Sequence, residues 1–485
     1  MIRFRYNQMS SENSKAAPFS SNSSKIRSSK ITKVKIARFS LTVFSVILAT
    51  YITVNISNLY FGSATYLSPL NELLQKAAPN TSLHRILVLL KNNILTQKEL
   101  EETVLKIDPK IESERCARYG YKYGGRKSRR RIFLGSLIAE DSWHPIAAHA
   151  AEAYGLYHTV AFTESSTTTS SRQGYVATRE LRFTTGSFDL KVLQSGIFGP
   201  STKVTVDFYH DDKSNRIGHD GKEYFLQEDL QREVSLKRFK QNGMTTDDIA
   251  IFSDLDEVFS RDFLLAAQIC EIPSFVKGQN CRYPKIVASA MTFEATPECV
   301  TSNRLWFHPD MVIGECVDTI GDSNIHKPLK RLFKDKGRRL PGYGKDPYDY
   351  FDKKNLFLPL WQAVDFRTTP GGDMLKDVDG NHIAFHFRNF FDSIHDVRYK
   401  FATCTHAKST AWTHPLRILN PELNMTVNCV KGDSDPEKAE NIRLDGGFAA
   451  IQGPTPVIFK DEIYRKLHFL ELQKKIEEDE KKYGA

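Results

Sequence analysis

The sequence predicts an α/β fold, with strands and helices alternating around a mostly parallel sheet, preceded by a single transmembrane helix. Three observations predict it. Short apolar runs, IFLGSLI (132–138), TVAFTES (159–165), KVTVDFY (203–209) and DIAIFS (248–253), are separated by stretches of helical periodicity. That order implies a parallel sheet covered on both faces. An uncharged stretch runs from Phe39 to Asn71 and is most apolar over Phe39–Val54. Finally, 40% hydrophobic and 26% charged residues over 485 positions is a globular composition. It excludes wholesale disorder and a many-span transporter.

Residues 1–38 read as a basic cytoplasmic tail. They hold nine Lys or Arg and one acid, Glu12, so this tail accounts for +8 of the chain's formal +9. The pI near 9.0 therefore belongs to one terminus. A nearly neutral body makes nucleic acid an unexpected partner.

Residues 39–61 read as a signal anchor, since about 20 apolar residues cross a bilayer as a helix. Basic residues on its N-terminal side keep that side cytoplasmic. The expectation is a single-pass type II protein of the Golgi membrane with its bulk in the lumen. A cleaved signal peptide is disfavoured by the long basic leader, and a transit peptide has no need of the uncharged span. Asn80-Thr81-Ser82 and Asn424-Met425-Thr426 match the glycosylation triplet and would face the lumen. All seven cysteines lie beyond the anchor, where pairing is permitted. No Cys-x-x-Cys occurs, which argues against a zinc ribbon. Four cysteines lie between 270 and 316, suggesting one or two local disulfides, and the odd count leaves a thiol over.

Residues 62–130 read as stem and linker, with helical patterns over 71–76 and 83–105. The run RYGYKYGGRKSRRR (118–131) reads as a solvated linker, or alternatively as a processing site. A catalytic domain spans 131–456. Beyond the four strands it holds helices over 144–155 and 228–242, the second stopped by Gly243. A further strand is expected over 285–291. Residues 457–485 form a charged C-terminal helix.

Asp254-Leu255-Asp256-Glu257 directly follows the buried run 248–253. Ligands of open α/β sheets bind at that end of the strands. Three carboxylates in four residues repel unless a cation joins them. Mg²⁺ or Mn²⁺ binds through few protein carboxylates and completes its shell with substrate phosphate. Asp254 and Asp256 are thus the expected metal pair, and Glu257 orients the loop. Three readings stay open. One is a turn of solvated acids. Another is a haloacid dehalogenase-like phosphatase with Asp254 as nucleophile and Gly372–Asp377 mimicking its later metal motif. The third is a sugar-nucleotide-dependent transferase, whose donor-binding half precedes the Asp-x-Asp.

The chain resembles glycosyltransferase family 17 over roughly residues 130–410. The segments that carry the resemblance are RIFLGSLIAEDSWHPI, TVAFTESSTTTSS, QREVSLKRFKQNGMTTDDIAIFSDLDEVFSRD and AFHFRNFFDSIHDVRYKFATCTHA, with His386 and His406 in the last. The resemblance implies a Rossmann-like, A-type glycosyltransferase fold and an inverting mechanism. It implies UDP-N-acetylglucosamine as donor and a glycoprotein N-glycan as acceptor, as in β-1,4-mannosyl-glycoprotein 4-β-N-acetylglucosaminyltransferase. An inverting transfer needs a base for the acceptor hydroxyl. Glu294, Asp373 and Asp392 are the base candidates by position. Glu164 is expected to contact the uridine, and Arg232 or Arg238 the diphosphate. His386 is a candidate third metal ligand, set against the plainer reading of a core histidine. The His382–His386 spacing falls on a strand, which disfavours zinc. A non-catalytic glycan-binding protein is the remaining alternative.

Overall fold

The computed structural model describes residues 69–79, 81–104, 106–139, 142–167, 180–210, 224–273, 285–301, 306, 308–317, 320–321, 374–393, 396–397, 400, 421–431, 441–443 and 453–483. All belong to one compact unit, Ala64–Ala485. In chain order, α1 (Ser82–Val104), α2 (Pro109–Arg118) and β1 (Lys122–Tyr123) lead into β2 (Ile132–Ile138), α3 (Trp143–Glu152) and β3 (Tyr157–Ser165). Then come α4 (Phe188–Leu193), β4 (Lys203–Tyr209), α5 (Tyr224–Gln241), β5 (Ile249–Ser253), β6 (Glu257–Phe259), α6 (Arg261–Ile269) and β7 (Cys270–Glu271). β8 (Lys285–Ala288), β9 (Ala290–Glu294), β10 (Cys299–Thr301) and β11 (Asp310–Ile313) follow. The chain closes with β12 (Met374–Leu375), β13 (Ala384–Arg388), α7 (Pro421–Lys431), β14 (Asn441–Arg443) and α8 (Glu462–Tyr483).

Two large sheets form. The first has seven strands in the order β12-β8-β11-β5-β2-β3-β4, and the second has five in the order β14-β10-β9-β13-β6. β5, β2, β3 and β4 are parallel neighbours, as their apolar runs predict. Their residues are buried on both faces in β2, β3 and β5. Gly135 in β2 is required by close packing, because a Cβ there would come within 3.0 Å of the Phe252 and Ser235 side chains. α5 therefore lies directly on β2, and it also packs on β3. It ends at Gly243, whose φ of +79° is the left-handed conformation that terminates helices.

Two features of the expected fold class are corrected. The sheets are mixed: β11 runs antiparallel to both β5 and β8, and β13 antiparallel to β6. The reason lies in the path of the chain. β8 leaves the first sheet at its carboxyl edge, and β9 and β10 turn back within the second sheet. The chain thus re-enters beside β5 without a crossover helix, and only an antiparallel strand fits such a return. Second, no helix among the described residues is long and apolar enough to cross a membrane. The transmembrane helix expected over 39–61 is therefore not supported, and that stretch lies outside the described residues.

The expected strand 285–291 is two strands. It breaks at Ser289, where the chain passes from the first sheet to the second. Ser289 is fully buried, and its hydroxyl lies 2.7 Å from His382 Nδ1.

The segment read as stem and linker packs on the domain. α1 contacts α3, and α2 contacts α6. Cys116 in α2 is disulfide-bonded to Cys270. The basic run is no solvated linker. Arg126 pairs with Asp247, Arg129 with Glu112, and Arg131 Nε with Asp248 at 2.9 Å. Arg130 is 7% exposed and donates to the carbonyls of Ala267 and Cys270 at 3.2 and 2.9 Å. The second disulfide, Cys299–Cys429, joins β10 to α7. Both bridges are long-range, with separations of 154 and 130 residues, rather than local. Cys316 is disulfide-bonded as well. Cys281 and Cys404 lie outside the described residues.

Candidate functional site at the carboxyl edge of the central strand

β2 is followed by β3 and β4 on one side, and the chain then returns to β5 on the other side of β2. The strand order reverses between β2 and β5. In α/β sheets the crevice beyond such a switch point holds the ligand. Asp254 is the first residue after β5, and Glu257 begins β6 of the second sheet. The acidic loop therefore bridges the two sheets at that crevice.

Glu257 builds the loop. Its carboxylate accepts the Asp254 N–H at 3.0 Å and the Trp306 Nε1–H at 2.8 Å, and the residue is fully buried. The Asp256 carbonyl accepts the Phe387 N–H of β13 at 2.7 Å. These bonds fix the backbone and leave two carboxylates facing cations. Asp254 is 43% exposed and lies 3.1 Å from Arg232 Nη2, which also approaches Glu228 at 3.5 Å. Asp256 Oδ2 lies 3.3 Å from Lys400 Nζ and 3.6 Å from His386 Nε2. Burial alone would push the Asp256 carboxyl up. The charges of Lys400 and His386 outweigh it and hold the group well below the usual carboxylate range. Beneath the loop, burial depresses His149 to about 4, against the opposing pull of Asp256 and the Leu255 backbone.

His386 stacks on Trp306, with ring centroids 4.4 Å apart and planes at 19°. The Trp306 ring meets His308 edge-on at 5.9 Å. His308 Nδ1 lies 2.8 Å from Asp310 Oδ2, and Asp310 is fully buried. Asp310 pairs with Phe252 in the antiparallel register, so it too sits at the carboxyl edge of β5. Asp256, His386, Trp306, His308 and Asp310 thus form one continuous series of contacts.

The residues expected from sequence divide into two groups. Asp254, Asp256, His386 and Arg232 come together, with Glu257 holding the loop. Asp254 faces Arg232 rather than His386, however. Among the described residues no three His, Cys, Asp or Glu side chains assemble as a metal centre. The others stand elsewhere. The Glu164 carboxylate is buried and accepts the backbone N–H groups of Arg182 and Phe183 at 2.8 and 3.1 Å, so it orders the 182–183 segment. Arg238 pairs with Asp207 of β4. Glu294 is buried among Asn389, Thr426 and Arg388, at 2.6, 2.5 and 3.6 Å. Asp392 bonds His144 Nε2 at 3.0 Å, which holds its carboxyl low despite burial. Asp373 and His406 lie outside the described residues.

Lys400, Trp306, His308 and Asp310 were missed by sequence reasoning. Lys400 carries no local signal. The run Trp306-Phe307-His308-Pro309-Asp310 before the short apolar DMVI does carry one: an aromatic and two titratable side chains at the mouth of a buried strand. No protein-family model matches the chain, and no curated protein matches it either.

Proposed function

We propose that the protein is a glycosyltransferase that moves N-acetylglucosamine from UDP-N-acetylglucosamine to a protein N-glycan with inversion. The observation that carries this reading is the place of Asp254 and Asp256, on a fixed loop at the switch point between β2 and β5. The resemblance of 130–410 to glycosyltransferase family 17 supplies the donor and acceptor. Five disulfide-bonded cysteines, 116 with 270, 299 with 429, and 316, favour an oxidising compartment, and the secretory lumen is the proposed site of action.

The two carboxylates suit Mn²⁺ or Mg²⁺ held mainly by substrate phosphate, since such ions take few protein oxygens and keep the rest of their shell for substrate. When bound, the ion supplies Lewis-acid neutralisation of the departing diphosphate, worth several kcal/mol. The chain's own residues do the remainder. Glu257 keeps Asp254 and Asp256 at the crevice without reorganisation. Arg232 and Lys400 add positive charge at its rim, where negative charge builds on the leaving group. His386 of β13, stacked on Trp306, flanks Asp256.

The described end of the phosphatase motif does not favour that reading. Asp377, the last residue of its Gly-Asp-x-x-x-Asp mimic, accepts the backbone N–H groups of Asp379 and Asn381 and the Asn381 amide. Its carboxylate is engaged in its own turn.

The test uses the full chain, because a fragment starting at residue 131 would sever the Cys116–Cys270 bridge. UDP release is measured with a panel of UDP-sugars, Mn²⁺ and N-glycan acceptors, with and without EDTA. Metal-dependent release from UDP-N-acetylglucosamine is expected. No metal-dependent release from any donor would sink the reading.

A further inference from the structure

We propose that His308, held by Asp310, is the base that takes the proton from the acceptor hydroxyl. The inference rests on the transferase reading of the same crevice. An inverting displacement needs a proton acceptor within about 3 Å of the attacking hydroxyl, on the face opposite the leaving diphosphate. Of the carboxylates suggested by position, the two that are described are engaged elsewhere. Glu294 is fully buried and bonded by Asn389 and Thr426. Asp392, in the segment after β13, is bonded to His144 in a packing cluster with Tyr464 and His468.

His308 has what they lack. Asp310 Oδ2 accepts from Nδ1 at 2.8 Å, which assigns the proton to Nδ1 and leaves the lone pair on Nε2. No described group bonds to Nε2, and the side chain is 21% exposed. Fully buried Asp310 fixes the ring and is placed to stabilise an imidazolium. Trp306 lies between His308 and His386, in ring contact with both, and His386 touches Asp256. One sugar diphosphate anchored at Asp256 can therefore present its anomeric carbon toward His308.

The step balances within the two substrates. The acceptor O–H proton moves to His308 Nε2. The oxygen pair forms the bond to the anomeric carbon. The bond from that carbon to the diphosphate oxygen breaks, and its electron pair leaves with UDP. The imidazolium later returns its proton to water.

The experiment compares the full-length wild type with His308→Ala and His308→Asn. Asparagine keeps an N–H donor for Asp310 but removes Nε2, so it serves should alanine fail to fold. Transfer is followed by UDP release with acceptor, and donor binding by calorimetry with UDP and Mn²⁺. The expected result is a kcat lowered about 10²–10⁴-fold, with UDP affinity unchanged and transfer by His308→Ala partly restored by added imidazole. Asp310→Asn, a positioning change, is expected to lower kcat while leaving donor KM unchanged. An active wild type whose two His308 variants match it in kcat overturns the assignment alone. A lowered kcat in His308→Ala that imidazole does not restore assigns His308 a packing role and also overturns it. A wild type with no UDP release removes the transferase reading, and this inference with it.

Discussion

The molecule contains two His–Asp pairs that look alike in outline and differ in what they leave free. In the first, His144 Nε2 bonds Asp392 at 3.0 Å and Nδ1 bonds Tyr464 OH at 2.6 Å, with the His468 ring 4.3 Å away. Both nitrogens are used and the ring is buried. The pair ties α3 to α8 and to the segment after β13. In the second, His308 bonds Asp310 through Nδ1, and no described group bonds its Nε2. The lesson is that a carboxylate beside a histidine does not mark chemistry. What distinguishes the two pairs is a second ring nitrogen that no described group takes.

The largest effects should separate the pairs cleanly. His308→Asn, which keeps a donor for buried Asp310, should cost orders of magnitude in transfer and little in thermal midpoint. His144→Ala should do the opposite. It leaves a buried Tyr464 hydroxyl and Asp392 without their partner and opens a cavity, so a loss of about 2–4 kcal/mol is expected in urea unfolding. Its turnover per folded molecule should be unchanged. A His144→Ala protein that folds normally but does not transfer would erase the distinction.

Asp392→Asn and Tyr464→Phe sharpen the first pair, each removing one bond from a buried ring. Each should cost about 1–3 kcal/mol of stability, read as a shift in denaturant midpoint, with kcat intact. If Asp392→Asn abolishes turnover without destabilising, Asp392 is the base and the comparison is inverted.

Acid should weaken the closed cluster. Burial, then the charge of His144, pushes His468 down to about 3, and burial pushes His149 down to about 4. A histidine with a depressed folded value contributes stability that is complete above its unfolded value near 6.5 and lost as pH falls through the folded one. Buried Glu152 acts oppositely. Its carboxyl is pushed up to about 7, so its contribution is present below the unfolded value of 4.5 and is lost as pH rises through 7. Two histidines against one glutamate leave a net loss on acidification between pH 6.5 and 4.5, on the order of 1 kcal/mol per pH unit. The urea midpoint should therefore be lower at pH 5 than at pH 7. Glu152→Gln should steepen the fall.

The smallest effect concerns Lys400. Its half-exposed ammonium competes with a cation for Asp256 Oδ2. Lys400→Met should lower the Mn²⁺ concentration for half-maximal activity by no more than about fivefold, the scale of ~1 kcal/mol for such pairs.

Much of this fold is legible in sequence because its central strands are buried on both faces. Such strands appear as continuous apolar runs, and the acids that end them stand out, as Asp254 does after DIAIFS. The same burial hides where a strand changes partners. KIVASAM carries no mark at Ser289, yet β8 and β9 belong to different sheets. β11 is four residues long, and only its register against β5 brings Asp310 and His308 to the edge where Asp254 lies. Glu164 was placed correctly at a strand end. Nothing in its neighbours shows that the backbone of Arg182 and Phe183 returns to take its carboxylate. The arginines of 126–131 were read as solvent-facing because charge runs usually are. Their partners, Glu112, Asp247 and Asp248, are scattered along the chain.

The most direct measurement is calorimetric titration of UDP into the full chain with and without Mn²⁺, for the wild type and for Asp256→Asn. The prediction is binding by the wild type that requires Mn²⁺ and is lost in Asp256→Asn while the fold, read by circular dichroism, persists. Equal UDP binding by both proteins, or no binding by the wild type with Mn²⁺ present, would contradict it.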